Sequence, residues 1–560
     1  MKKHKMLQLS LALVLVMSLF LTACTKKEVA TVVSATPAAS MAAVETTAPS
    51  AEPAPTAPAQ FTLGSEPLSF SFYGNYDWWV TNQWGGDSPS KWIQDNLKVT
   101  VTPIQSGGAA VQKLSTMIAV NELPDVILLD RGPDVEKLVK ADKLVALDPY
   151  LDKYPNLKKY AGESTLNMLR SEDGKLYTFP NYYTQKPNGN AGYVINTKIY
   201  KALGSPKLET FEELASYLKM VKAKYPKIVP LEVDVNAGGV YLFATGFEEN
   251  YPITFINEKA VPRDDKLTSL FLDPTFNTTL KYASQLFRDK LITQDAFTQK
   301  SDQVYEKLKN GRVAVFVSGD ALNSKVLEAH NFLKQKDPED GYMAIWPIHK
   351  DGVSKDKVFP NSFASQGWNV NVITKGAKNP EAIFAYLDWL TGNEGQTVTN
   401  FGPKGQYWDT LDADGAPIPN AKWTSTPQAD KDKEHFGSFD WAGNTAFLDG
   451  TKAKIDSALP EDQRSWSTTQ QLNVMWKTSL NTTEFTNLAP SPDSPEGIAA
   501  TALQDIITKA TAKAIYAKND AEVDSILKEA NDSAVSQGYD KLLLFKTTKW
   551  LENVAKVKVQ

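Results

Sequence analysis

The stretch PDVILLD, Pro124–Asp130, reads as a continuous apolar strand closed by a charge. Upstream, PLSFSFYGNYDWW (67–79) places Leu68, Phe70 and Phe72 at alternate positions, and Gly74 and Asn75 then end a second such run. KVTVTPIQ (98–105) is a third strand. Apolar spacing between these runs predicts helices around Ser90–Asn96 and over Ala109–Asn121. Strand, helix, strand, helix, strand implies a right-handed, mostly parallel α/β layer. Ligands of such sheets sit beyond the carboxyl ends of the strands, which here are Tyr73-Gly74-Asn75 and Asp130-Arg131-Gly132.

Further along, DGKLYTFPNYY (173–183) gives a turn, a strand and two tyrosines, and NGRVAVFVSGD (310–320) is another apolar strand ending in small residues. Thr210 followed by Glu213 forms a capping-box signature for a helix that aligns Phe211, Leu214, Leu218 and Val221. Asn379-Pro380 and Gly392 bracket a second helix, and a largely helical C-terminal region begins at Ser494-Pro495.

The N-terminus is of another kind. Lys2, Lys3 and Lys5 precede an apolar run from Met6 to Leu21, too short for a comfortable membrane span but suited to a secretory signal. Cys24 is the only cysteine in 560 residues, so it has no partner for an internal disulfide. Leu21-Thr22-Ala23-Cys24 resembles a bacterial lipobox, in which the thiol receives a diacylglycerol and the cysteine becomes the first residue. Residues 1–23 are thus expected to be a signal peptide, and residues 24–60, rich in Ala, Pro, Thr and Ser, a disordered tether. Such a tether typically holds its cargo about 30 Å from the anchor.

The remaining body is large enough for two or more domains. A net charge of −5 and the lack of a basic cluster argue against a nucleic-acid partner. Apart from His4 in the leader, only His330, His349 and His435 remain, without metal-site spacing. No nucleophile elbow, phosphate loop or dinucleotide fingerprint is present. No metal or cofactor is therefore expected. Asp412 and Asp414 in LDADGAPIPN lack the rest of a calcium loop and read as a turn.

Several segments in their order resemble the extracellular solute-binding proteins of ABC importers, in the large lipoprotein branch of family 1, of carbohydrate-uptake type. They are Asp173-Gly174-Lys175-Leu176-Tyr177 with Pro180, Asn196 with Leu203-Gly204, and Thr210–Leu214. Gly311-Arg312-Val313-Ala314, Ile373-Thr374-Lys375, Lys378-Asn379-Pro380-Glu381 and Asn393-Glu394-Gly395 follow, with Gly538-Tyr539-Asp540-Lys541 in the tail. The resemblance implies an α/β fold of two lobes joined by hinge crossovers, with helices at the C-terminus. Crossings are expected near Tyr182–Gly192, Ser362–Asn369 and Gly402–Trp408. Lobe one would be residues 61–185 plus 365–405, and lobe two residues 186–364 plus 406–560. The implied protein is a monomer, lipid-anchored on the outer face of the cell membrane. It would capture a small polar solute, foremost an oligosaccharide, for the membrane subunits of an ABC permease. A secreted glycosidase, needing only two carboxylates, and a surface polysaccharide-binding protein are the alternatives.

Sugar rings present apolar C–H faces edged by hydroxyls, so aromatic faces beside polar side chains are the groups to seek. Tyr73, Asn75, Asp77, Trp78 and Trp79 lie just past a strand end, where Tyr73 and Trp78 read equally as ligand platforms or as core. Asp130 and Arg131 are ligand groups or a surface ion pair. Tyr182 and Tyr183 are adjacent, so one is expected to face the cleft. Trp368, between Gly367 and Asn369 at the return crossing, is the leading candidate. Trp441, beside Asp440, is expected in a polar loop of lobe two.

Overall fold

The computed structural model describes residues 60–234 and 238–558. The expected signal peptide, Cys24 and the tether up to Ala59 lie outside the described residues. Two sheets organise the rest. The first has five strands in the order Val99–Ile104, Leu68–Gly74, Val126–Asp130, Asn369–Ile373, Thr178–Asn181. Its first three are parallel, as their hydrophobic pattern implies, and helices Ser88–Leu97 and Ala110–Val120 connect them. The strand Val126–Asp130 buries Val126 to Leu129 and leaves Asp130 at its exposed end. Asn369–Ile373 then enters antiparallel to both neighbours, with Asn369 opposite Asp130 on one side and Asn181 on the other.

The second sheet runs Tyr342–Ile345, Gly192–Asn196, Val313–Ser318, Val229–Val233. Helix Phe211–Lys224 packs Phe211, Leu214, Leu218 and Val221 into its core. That helix starts at the expected capping box: Thr210 Oγ1 accepts from Glu213 N, and Glu213 accepts from Thr210 N. Asn379 likewise caps Pro380–Thr391, which lies on the first sheet. The C-terminal helices Pro495–Ile515, Asp520–Ser536 and Tyr539–Lys558 add Leu503, Ile507, Leu527 and Leu542 to the second core. The fold is thus two α/β lobes with a helical C-terminal region.

The chain passes between the sheets after Asn181 and returns before Asn369. These two passages are fastened together. Asn361 Oδ1 accepts from Ala191 N and its Nδ2 donates to Ala191 O, while Thr184 N donates to Ser365 O. Where they meet, Tyr182 has φ +54° and Gly367 φ +71°. A Cβ on Gly367 would lie 2.1 Å from Asn181 O, so only glycine fits that crossing.

The segment after Gly402 departs from expectation. Phe439, Trp441 and Ala442 belong to the first core, and the chain packs on the second sheet only around Trp466 and Met475, beside Val194, Phe316 and Tyr342. The reason is aromatic packing. Trp441 stacks on Phe72 with ring centroids 3.6 Å apart, and Phe439 meets Trp84 edge-on. Beside them, buried Asp440 accepts from Gln396 Nε2 at 2.8 Å and Asn400 Nδ2 at 3.0 Å.

Burial pushes the Asp440 carboxyl up to about 6. Its folded value lies above the ordinary value near 4, so the folded state holds this proton more tightly than the unfolded chain. The contribution of Asp440 to stability therefore grows as pH falls from about 6 toward 4 and is lost as pH rises through 6. Asp440→Asn should remove that slope, on the order of 1–3 kcal/mol. Thermal melts at pH 7 and pH 5 check this: the wild type should gain on the variant at pH 5, and a constant difference would refute it.

Candidate functional site

The strand ends of the first sheet assemble the site. Because Asn369 is antiparallel to Asp130 and Asn181, the preceding Trp368 falls between Arg131 and Tyr182. Tyr76, two residues past the strand Leu68–Gly74, stacks on Trp78 with centroids 4.9 Å apart and contacts Trp368 at 5.3 Å. Trp78 is 63% exposed and Trp368 46%. For large aromatic groups outside a core these are high values, and together they form one apolar lip. Tyr76 donates its hydroxyl to Asp130 Oδ1 at 2.8 Å, and burial together with that carboxylate pushes the phenol well up.

Beyond the lip opens a cavity of about 410 Å³. The first lobe supplies Asp130, Arg131, Gly132 and Trp368 to its wall, and the crossing segment adds Ala364. The facing wall comes from the short helix Thr254–Glu258 and from the turn after Ser479–Asn481, with Thr254, Asn257, Thr482, Phe485 and Thr486. Thr254 Oγ1 to Thr482 Oγ1 at 3.2 Å ties these two pieces together. The lining thus combines apolar faces with polar side chains.

Charge in the cavity is uneven. Glu258 is paired with Lys546 at 2.6 Å. Asp130 receives the Tyr76 hydroxyl. Arg131, by contrast, has Nε and Nη1 buried without a hydrogen-bond partner among the described residues. Burial lowers its guanidinium to about 10. On the same sheet edge, Asn75 Oδ1 is buried without a hydrogen-bond partner among the described residues, and the Asn369 amide is buried beside the Tyr76 hydroxyl. Buried polar groups without partners are costly, so such a concentration marks a place where water or a ligand completes the bonding.

The structure brings Trp78, Asp130, Arg131 and Trp368 together and leaves Asn75 on the same edge. Three other candidates are core residues. Tyr73 is fully buried, with its hydroxyl on Ala110 O at 2.9 Å. Tyr183 is buried and bonded to Thr391 Oγ1 at 2.8 Å. Trp441 is buried against Phe72, in the first lobe rather than in a loop of the second. Of the tyrosine pair, Tyr182 is the partly exposed member, packed on Phe401, Trp408 and Leu448 and outside the cavity wall. Trp79 lies flat over Gly74, where a Cβ would approach its ring to 2.2 Å. Asp77 bonds the backbone N–H of Ala110.

Sequence reasoning missed Tyr76, whose signal was its place in YGNYDWW, and the whole facing wall, whose threonines carry no local mark. Asp412 and Asp414 both pair with Lys454, and Asp412 also accepts from Asp414 N and Ala416 N. Among the described residues no cluster of His, Cys, Asp and Glu is suited to a metal. No described helix is long and apolar enough to cross a membrane.

Comparisons with known proteins agree with this architecture. Lipoprotein LipO of Bacillus subtilis (strain 168) is 25% identical over 337 residues, 58% of this chain and 63% of that relative, so the match leaves more than a third of LipO uncovered. Among solved structures, the alginate-binding protein AlgQ2 superposes with a TM-score of 0.62 at 15% identity, over 87% of this chain and 98% of that one. An HMO-binding, ABC-transporter-associated solute-binding protein from Bifidobacterium longum infantis gives 0.63 at 16%, over 86% and 98%. FusA of S. pneumoniae, an ABC-transporter substrate-binding protein solved with kestose, gives 0.61 at 17%, over 87% and 100%. At these identities the superpositions establish the fold. The model of the bacterial extracellular solute-binding proteins matches residues 91–397, more than half of the chain, and the chain belongs to that family.

Proposed function

We propose that this protein is a lipid-anchored extracellular receptor that captures an oligosaccharide between its lobes and delivers it to an ABC permease, without turnover. The observation that carries the reading is the lip of Tyr76, Trp78 and Trp368 at the mouth of a polar cavity lined from both lobes. Aromatic faces cover the C–H faces of a pyranose, and threonine hydroxyls, amides and Arg131 address its hydroxyls. Proteins named for binding alginate and HMO, and one solved in complex with kestose, share the fold and support a sugar as ligand.

The lobes, in this reading, rotate about the bundled crossings to enclose the ligand, and exclusion of water strengthens each hydrogen bond made there. The protein acts as a monomer, with Cys24 as its attachment point. The glycosidase alternative gains little from the cavity, because its two carboxylates are engaged, Asp130 by Tyr76 and Glu258 by Lys546.

Trp368→Ala should weaken oligosaccharide binding by on the order of 1–3 kcal/mol with little loss of stability, since the indole is nearly half exposed. Tyr183→Phe should do the reverse, costing about 1 kcal/mol or more in unfolding and leaving affinity unchanged. Calorimetric titration and chemical unfolding on both variants separate the roles. An unchanged affinity in Trp368→Ala would remove this residue from the site.

For the anchor, Cys24→Ala should abolish lipid labelling and release the protein from the membrane fraction. Mass measurement of the wild type should find a diacylglycerol-modified N-terminal cysteine. A free thiol there, with membrane retention unchanged in the variant, would refute the anchor.

A further inference from the structure

Trp78 stands outside the cavity. The cavity wall holds Trp368 but neither Tyr76 nor Trp78, although the Trp78 and Trp368 rings lie 6.3 Å apart. The row of rings therefore begins between the lobes at Trp368 and runs out along the first lobe. Tyr76 stacks on one face of Trp78, and the indole is still 63% exposed, so its other face is open to solvent. Val80, two residues on, is 82% exposed.

This exposure is built in. The loop that carries both residues is pinned on either side of them. Asp77 Oδ1 accepts from Ala110 N at 2.8 Å, Ser106 Oγ donates to Asp77 O at 3.2 Å, and Thr81 and Gln105 exchange two bonds. Trp79, between the two exposed residues, is buried over Gly74. A pinned backbone that buries one tryptophan and presents its neighbour is a preformed platform, and a ligand that uses it is spared the cost of ordering it. Volume points the same way. At about 410 Å³ the cavity lies at the low end of the roughly 300–1,000 Å³ of small-molecule sites, room for a short sugar only. A ligand confined to it would leave the Trp78 platform uncovered.

We propose that the ligand is an oligosaccharide longer than the cavity, with one end held between the lobes against Trp368 and the following units passing out across Trp78. This inference rests on the binding function proposed above and narrows it to a chain length. The inner contacts grip a short sugar of suitable shape, and only a chain that spans both positions gains the second ring.

The test is calorimetric titration with xylo-, cello-, malto- and fructo-oligosaccharides, each as a series from disaccharide to hexasaccharide, on the wild type, Trp78→Ala and Trp368→Ala. In a series that binds, affinity should rise beyond the disaccharide by a factor on the order of ten, the size of one aromatic stacking contact, and then level off. Trp78→Ala should cost the hexasaccharide that factor and the disaccharide far less, with no fall in melting temperature. Trp368→Ala should weaken every length alike. A series that binds equally at all lengths, or most tightly as the disaccharide, refutes the length preference and leaves the receptor reading standing. Equal losses at every length in Trp78→Ala would place that ring with Trp368 and refute the outer position. No loss at any length would leave the exposed loop to a protein partner and refute the proposal as well. If no series binds, the receptor reading and the length preference are both refuted.

Discussion

Strand Asn369–Ile373 reaches the first sheet only after the chain has built most of the second lobe, and it lies antiparallel between two strands already in place. Its pairing with Asp130 on one side and Asn181 on the other leaves no freedom at the cleft. A slip of one residue would turn Val370 and Val372 off the core, so hydrophobic burial holds the register. From that register follow the place of Trp368 beside Arg131, the contact of Gly367 with Asn181, and the meeting of the two crossings. Site and hinge are consequences of one pairing.

The chemistry of the cleft is built from groups that the fold leaves unfinished. Some polar side chains of the body are closed into local networks, as Asp440 is by Gln396 and Asn400, or Glu232 by Gln299 and Lys307. At the strand ends Asn75 Oδ1 and the Arg131 Nε and Nη1 are not so closed among the described residues. Large rings are treated in the same divided way. Trp79 and Trp441 pack on Phe72 and Trp84 packs on Trp441, where each contributes about 1.5–3 kcal/mol by leaving water. Trp78 and Trp368 remain out in solvent, a cost borne where a ligand can repay it.

Local pattern carried the parallel strand–helix alternation that opens the first sheet and the capping of helices Phe211–Lys224 and Pro380–Thr391. Those features depend on residues near one another in sequence. Tyr73, Tyr183 and Trp441 were misleading because a tyrosine or tryptophan among polar neighbours looks the same whether it faces a ligand or a distant ring. Only the approach of groups distant in sequence, Ala110 to Tyr73, Thr391 to Tyr183 and Phe72 to Trp441, decides between them. The threonines of the second wall were invisible for the same reason. Thr254 and Thr482 acquire meaning by meeting each other, and neither stands in a motif.

The late arrival of Asn369–Ile373 also bears on how the molecule comes to be folded. As the chain emerges from its N-terminus, strands Val126–Asp130 and Thr178–Asn181 cannot be joined until Asn369 appears, with the second sheet made in between. Phe439 and Trp441 reach the same core later still. Contacts so distant in sequence make for slow folding, because long loops must close before any burial rewards them. A first lobe that cannot be completed early leaves the chain open for longer. For a polypeptide threaded through a membrane before it folds, that delay is an advantage, and for one refolded at high concentration it is an exposure to aggregation.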